Sequence, residues 1–177
     1  MYRTLLTTVA LALLTNTVHA QSVTGPTKPL SFGGALGVSF PVGDLSDGTN
    51  TGYNGTLILG LNTPELPFNF RIDGAYNQFG IKGTSENIHV TSFTGNAVLN
   101  VPTTSAIRLY FVGGGGLYNT ATSVSGVESS NNFGLNGGGG IVMPLSGFNA
   151  FAEARYNWVN TSGGSTQFVP IVVGVMF

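Results

Sequence analysis

The sequence contains few charged residues and no cysteine. Asp, Glu, Lys and Arg make up 7% of its 177 residues, with a formal net charge of −1, whereas soluble domains contain about 25% charged residues. Six basic residues provide no patch of the kind that binds nucleic acid. So few charges also exclude a disordered acidic or basic tail. The lack of cysteine excludes a disulfide scaffold and a thiolate metal site.

Long apolar runs are absent as well. Although 42% of the residues are hydrophobic, no window contains the roughly 20 consecutive apolar residues that a membrane helix needs. Glycine is abundant, with 27 residues, which is roughly twice its usual share of about 7%. A chain this apolar that lacks a spanning helix indicates a membrane protein built from strands.

The N-terminal residues predict a secretory signal peptide. Arg3 precedes a short apolar stretch at residues 5–14, and residues 18–20 end in Ala20, as at a cleavage site that prefers small residues. The stretch is too short to remain as a membrane anchor; a retained amphipathic helix is the alternative. We predict a signal peptide at 1–20, a short linker at 21–30 and a barrel domain at 31–177.

Large apolar residues occupy every second position through most of the remaining chain. In the clearest run, Phe70 and Ile72 alternate with Arg71 and Asp73. This period of two predicts a strand with one apolar and one polar face. Eight such runs are present, at residues 32–42, 53–61, 68–77, 89–101, 107–118, 132–143, 149–157 and 167–177.

Eight strands make the smallest even-numbered barrel that crosses an outer membrane, where strands of about 9–11 residues suffice. Polar breaks follow the odd-numbered runs, the longest at 119–131, and tight turns follow the even-numbered ones. This is the expected difference between extracellular loops and periplasmic turns. We predict an all-β fold, an eight-stranded antiparallel transmembrane β-barrel in up-and-down meander order. A soluble barrel is the alternative, but the 12 charges outside 1–20 are too few to cover a water-facing exterior.

The polar face of these strands carries charged residues that would point into the barrel. An unpaired charge inside a narrow lumen is costly. Strands three and seven face each other across an eight-stranded ring, so their charges can meet. We therefore predict one ion-pair network that plugs the lumen, with an ion-gating site as the alternative; its members are Arg71, Asp73, Arg108, Glu153 and Arg155.

Aromatic residues lie near the ends of several strands. Such positions are typical of the girdles that a membrane barrel places at the two bilayer interfaces. The residues are Tyr53, Tyr76, Tyr118, Tyr156, Trp158 and Phe177.

Four segments resemble the small outer-membrane β-barrel family of the OmpA/OmpX type. Residues 40–45 (FPVGDL) resemble its first-strand exit, 109–116 (LYFVGGGG) its fifth-strand glycine run, and 152–156 (AEARY) its seventh strand. The alternating apolar residues Val173, Val175 and Phe177 resemble the signal that the barrel-assembly machinery reads. The resemblance implies a porin-like barrel in the outer membrane of a Gram-negative cell envelope. Its implied partners are outer-membrane lipids, lipopolysaccharide and that assembly machinery.

The resemblance implies an architecture and leaves the function open. The sequence favours a non-enzymatic barrel that contributes to envelope integrity or surface interaction, with no cofactor, metal site or catalytic residue. A narrow porin-like channel for small solutes or ions is the alternative; a conduit for hydrophobic solutes and a host-binding role are others. An enzyme that modifies lipid A would need a nucleophile, a base and a carboxylate. The sequence offers only Thr91, His89 and Glu86 for these roles, with Thr91 where the family's deacylases use serine.

Overall fold

The structure, a computed structural model, describes residues 29–124, 126, 128–161 and 163–177. They form a closed barrel in which each strand pairs antiparallel with its neighbour along the chain, and β1 pairs with β8. This confirms the predicted eight-stranded meander. The elements are β1 (Leu30–Val42), α1 (Asp44–Gly48), β2 (Gly52–Leu61), β3 (Asn69–Gly80), β4 (Asn87–Asn100), β5 (Arg108–Thr122), β6 (Ser130–Pro144), β7 (Asn149–Thr161) and β8 (Gly164–Met176).

The alternation of residue types along the strands determines which side chains line each surface. In β3, Arg71 and Asp73 are buried inside the barrel, whereas Phe70 and Tyr76 are exposed on the outer wall. Leu57, also on that wall, is 75% exposed. An apolar exterior around a polar interior is the arrangement of a barrel surrounded by lipid. Within the described ranges, no helix is long and apolar enough to span a membrane.

We refer to the two ends of the barrel by the chain segments found there. The terminal end contains the start of β1, the end of β8 and the connections 62–68, 101–107 and 145–148. The loop end contains the connections 43–51, 81–86, 123–129 and 162–163. The two ends therefore carry connections of similar length, and the predicted difference between long loops and short turns is not observed.

The strands account for this difference, because several are longer than predicted. β5 and β6 have 15 residues each, and their pairing continues to Thr120 and Ser130. Six of the 13 residues in the loop predicted at 119–131 therefore belong to strands. The polar break predicted at residues 44–50 contains α1, whose Leu45 packs against apolar residues inside the loop end.

The predicted domain boundaries lie mostly outside the described residues. The signal peptide at 1–20 and nearly all of the linker at 21–30 fall there. The linker's last residue, Leu30, already belongs to β1 and pairs with Leu61.

Candidate functional site: the barrel lumen

Four charged side chains meet inside the barrel, two from β3 and two from β7. Arg71 and Asp73 lie two residues apart on β3, so both point inward, and Glu153 and Arg155 do the same on β7. These two strands are not neighbours in the sheet. The four side chains, which we call the charge cluster, therefore connect opposite walls of the barrel.

Each arginine of the charge cluster contacts both carboxylates. Arg71 places Nε 2.9 Å from Asp73 Oδ1 and Nη1 2.9 Å from Glu153 Oε2. Arg155 places Nη1 2.7 Å from Asp73 Oδ2 and also pairs with Glu153. The cluster is thus a closed ring of two cations and two anions with no net charge. Such balance is what allows four charges to be buried together.

Two neutral side chains donate further hydrogen bonds to the carboxylates, one to each. The Tyr110 hydroxyl donates to Glu153 Oε2 over 2.8 Å. The Asn96 amide donates to Asp73 Oδ2 over 3.0 Å. Tyr110 and Asn96 were not among the predicted members of this network. Both residues lie on the inward face of their strands, β5 and β4, and this position could have identified them as members.

The structure does not bring Arg108 to the charge cluster. Arg108 is the first residue of β5 and its side chain is exposed. It lines an open depression of about 920 Å³ at the terminal end, with Arg71 and Tyr110. Tyr110 is two residues further along the same inward face and reaches Glu153 in its place. Arg108 thus lies nearer the barrel mouth than Arg71 does. A charge at the mouth is solvated by water, so it needs no buried partner.

Towards the loop end, the lumen is filled by apolar side chains. Phe79, Val90, Val159 and Phe168 are almost completely buried, together with Tyr118. The rings of Phe79 and Phe168 pack edge to face at 5.7 Å between centroids. We call these five residues the apolar layer. The apolar layer was not predicted, although Phe79 lies two residues from the inward-facing Asn77 and so points to the same side of β3.

One predicted girdle residue, Tyr118, belongs to this interior layer instead. It is 1% exposed, and its hydroxyl donates to Asn157 over 2.9 Å. Tyr118 lies an even number of residues from Tyr110 on β5, so both side chains point into the barrel. The girdle prediction was wrong for Tyr118 because it considered the position near the strand end and not this direction. The other predicted girdle residues have exposed side chains: Tyr53, Tyr76, Tyr156, Trp158 and Phe177.

Between the apolar layer and the charge cluster, little space remains. The cavity there measures about 30 Å³ and is lined by polar groups such as Asn54, Asn77 and Asn157. That volume accommodates about one or two water molecules. Asn77 accepts hydrogen bonds from Ser39, over 2.7 Å, and from Asn54, over 2.8 Å.

The residues considered for lipid hydrolysis have separate partners. His89 Nδ1 lies 2.6 Å from the Tyr76 hydroxyl. Glu86 instead accepts a hydrogen bond from Ser123 over 2.6 Å. Thr91 is exposed on the outer wall, two residues from His89. The carboxylate thus engages a serine on another strand connection rather than orienting the imidazole, as a catalytic triad would require.

Removing the Tyr110 hydroxyl tests how far neutral donors support the charge cluster. We expect Tyr110→Phe to lower the free energy of unfolding by about 1.5 kcal/mol, because a buried hydrogen bond to a charged group is lost. Tyr156→Phe is the control, since that hydroxyl bonds Gln167 on the exposed wall. It should change stability by less than about 0.5 kcal/mol. Urea unfolding of both variants in detergent measures the difference, and equal losses would contradict a special role for Tyr110.

A closed barrel with an apolar exterior and a charge-neutral interior defines an integral membrane protein of the β-barrel class. The model of the outer membrane protein beta-barrel domain family matches residues 8–177. The chain therefore belongs to this family, and it is located in the bacterial outer membrane. No curated protein matches the sequence significantly.

Solved structures share the fold at low sequence identity. Neisserial surface protein A, NspA, has a TM-score of 0.70 at 16% identity, over 84% of this chain and 96% of that chain. Ail, the attachment invasion locus protein of Yersinia pestis, has a TM-score of 0.53 at 17% identity, over 84% and 97%. The outer membrane enzyme PagL has a TM-score of 0.50 at 17% identity, over 83% and 98%. One barrel architecture thus occurs in surface proteins and in an enzyme, so the architecture does not determine the activity.

Proposed function

We propose that this protein is a non-enzymatic outer-membrane barrel with a sealed lumen, which contributes to the integrity of the envelope. The proposal rests on the observation that the lumen is filled at two levels, by the apolar layer and by the charge cluster. An ion entering the apolar layer would lose its water without gaining a polar partner. An ion reaching the charge cluster would have to separate charges that already neutralise each other.

Conductance through a planar bilayer tests this proposal. We expect the protein, purified from the outer membrane, to show no steady single-channel openings. A combined variant, Phe79→Ala, Phe168→Ala and Arg71→Ala, removes bulk from both obstructions and should produce small, stable openings. A heat-dependent shift in gel mobility serves as the folding control for each sample. Stable openings of the unmodified protein would overturn the proposal and favour the narrow porin-like channel.

We favour a non-enzymatic role over an enzymatic one, although the enzyme PagL has the same fold. The engagement of Glu86 by Ser123 supports the absence of a His89-centred triad. A role in surface interaction would use the loop end; NspA is a surface protein, and Ail is an attachment invasion locus protein.

The partners of such a barrel follow from how it reaches the membrane. We place a signal peptide at residues 1–20 for export, and outer-membrane lipids and lipopolysaccharide around the mature wall. The assembly machinery would read Val173, Val175 and Phe177, the last of which pairs its backbone with Phe32 and stacks its ring on Phe32 at 5.6 Å. This pairing joins the first and last strands, so recognition of the segment would be linked to closure of the barrel.

A further inference from the structure

The depression at the terminal end of the barrel ends blind at the charge cluster. All eight strands contribute to its lining, from Ser31 on β1 to Met176 on β8, and its volume is about 920 Å³. Sites for small molecules measure about 300–1,000 Å³. Arg71 and Tyr110, which both bond to Glu153, lie at its floor. The depression therefore has room for a small solute and offers it no way on into the lumen.

The charge inside the depression is positive. Among the described residues that line it, the charged side chains are Arg71 and Arg108, and none is a carboxylate. Arg71 directs Nε, Nη1 and Nη2 at Asp73 and Glu153, so its charge is compensated. Arg108 is exposed and forms no ion pair with any described residue. The depression thus presents one uncompensated charge, on the guanidinium at its rim.

Neutral hydrogen-bond donors lie on the same side of the depression as Arg108. Asn100 on β4 pairs with Tyr110, two residues from Arg108 on the inward face of β5. Its exposed side-chain amide forms no hydrogen bond with a described residue. Asn69 on β3 accepts the backbone N–H of Thr63 through Oδ1 over 3.0 Å, which leaves its NH₂ group to donate. The side from β3 to β5 can therefore donate several hydrogen bonds to an anion.

The side formed by β6, β7 and β8 is apolar. Val142, Phe151 and Met176 line it, one from each strand. Val142 and Met176 pack against the buried apolar cluster that contains Phe151. Arg108 is the β5 residue that pairs with Val142 on β6, so the cationic and apolar sides meet at this pair. A ligand that matches both sides combines an anionic group with an apolar body.

We propose that the depression binds a small monocarboxylate with an apolar body. The carboxylate accepts hydrogen bonds from the Arg108 guanidinium and the Asn100 amide, and the apolar body lies against Val142 and Met176. A guanidinium fork matches the two oxygens of a carboxylate. A phosphate monoester, with a charge of about −1.5 to −2 at neutral pH, would exceed the single charge of Arg108. This site goes beyond the sealed-lumen function, because the ligand enters and leaves through the same end.

Titration with 4-fluorobenzoate tests the proposal. The protein is placed in lipid nanodiscs, which leave both ends of the barrel accessible, and the line width of the fluorine resonance reports binding, with empty nanodiscs as the baseline. We expect saturable binding that Arg108→Gln weakens at least tenfold, because a charged bidentate contact is lost. Lys82→Gln is the matched control. It removes the same charge at the loop end, where Lys82 Nζ donates to the Ser46 carbonyl over 2.7 Å, and should leave binding unchanged.

Two further probes separate the cationic side from the apolar side. 4-Fluorobenzyl alcohol keeps the ring without the carboxylate, and trifluoroacetate keeps a carboxylate without the ring, so each should bind at least tenfold more weakly than 4-fluorobenzoate. The heat-dependent gel shift checks that each variant is folded. Absence of saturable binding would overturn the proposal, as would equal binding by Arg108→Gln and the unmodified protein, or equal affinity for either of the two further probes. Conductance tests the sealed lumen separately, so the two proposals can fail independently.

Discussion

Replacing Glu153 by alanine should lower the free energy of unfolding by about 3–5 kcal/mol, because it leaves two buried arginines with only one of their two shared carboxylates. Glu153 contacts Arg71 and Arg155 and accepts the hydroxyl of Tyr110. Its side chain is 4% exposed. After the substitution, Asp73 alone faces two guanidinium groups, and the charge cluster has a net positive charge. Urea unfolding in detergent, followed by tryptophan fluorescence, measures the change.

The control for this variant is a glutamate outside the lumen. Glu65 is exposed in the connection between β2 and β3, so Glu65→Ala should change stability by less than about 0.5 kcal/mol. A double variant, Glu153→Leu with Arg155→Leu, removes one charge of each sign and should cost less than the sum of the two single changes. An unchanged unfolding midpoint in Glu153→Ala, or strict additivity in the double variant, would refute the charge cluster as a cooperative plug.

Replacing Gly140 by valine should have an effect of similar size, on the order of 3 kcal/mol or more, through overpacking and a lost hydrogen bond. Gly140 faces inward on β6, opposite Glu153 on β7. A Cβ atom at this position would lie 2.6 Å from the Tyr110 hydroxyl and would also collide with the backbone oxygen of Ala152. The backbone cannot withdraw because the strand is paired on both sides. Tyr110 would therefore be forced away from Glu153.

Gly137 provides the matched control on the same strand. It faces outward, and a Cβ there would meet nothing within 4 Å, so Gly137→Val should be neutral or slightly stabilising, since valine favours strands. The heat-dependent gel shift reports whether each variant folds, and urea unfolding reports the loss of stability. If valine were tolerated equally well at both positions, the lumen would be less tightly packed than the short distances around Gly140 indicate.

Much of the barrel could be predicted because lipid and lumen impose a strict alternation on every strand. Phe70, Arg71, Ile72 and Asp73 alone determine which face of β3 points outward, and inward and outward side chains alternate along the other strands as well. A one-residue shift would place Arg71 in hydrocarbon, so the register is strongly constrained. Closure follows from the same environment, because an open sheet edge in lipid would leave backbone groups unpaired.

The contents of the lumen were predicted less completely. The alternation along a strand gives the direction in which a side chain points, but not its depth along the barrel axis. Arg108 and Arg71 both face inward, yet the first lies at the mouth, where it is exposed, and the second lies among carboxylates. Tyr110 and Tyr118 share a strand and a face, yet the first supports the charge cluster and the second belongs to the apolar layer. Along one strand the spacing gives the relative depth, but the tilt and stagger of the strands decide which inward residues of different strands lie at the same depth. Neither the tilt nor the stagger can be derived from residue spacing.

By itself, the sequence determined the number of strands, their order, their two faces and the membrane they cross, since each follows from a local period and a scarcity of charge. The tertiary structure decided which inward residues meet. It connected β3 with β7 through four charges and packed the ring of Phe79 edge to face against that of Phe168. It also left a groove on the outer wall beside Gly74, bounded by Leu57, Phe93 and Leu117. Contacts across a lumen and grooves between strands depend on the curvature of the closed sheet, which emerges only when all eight strands are paired.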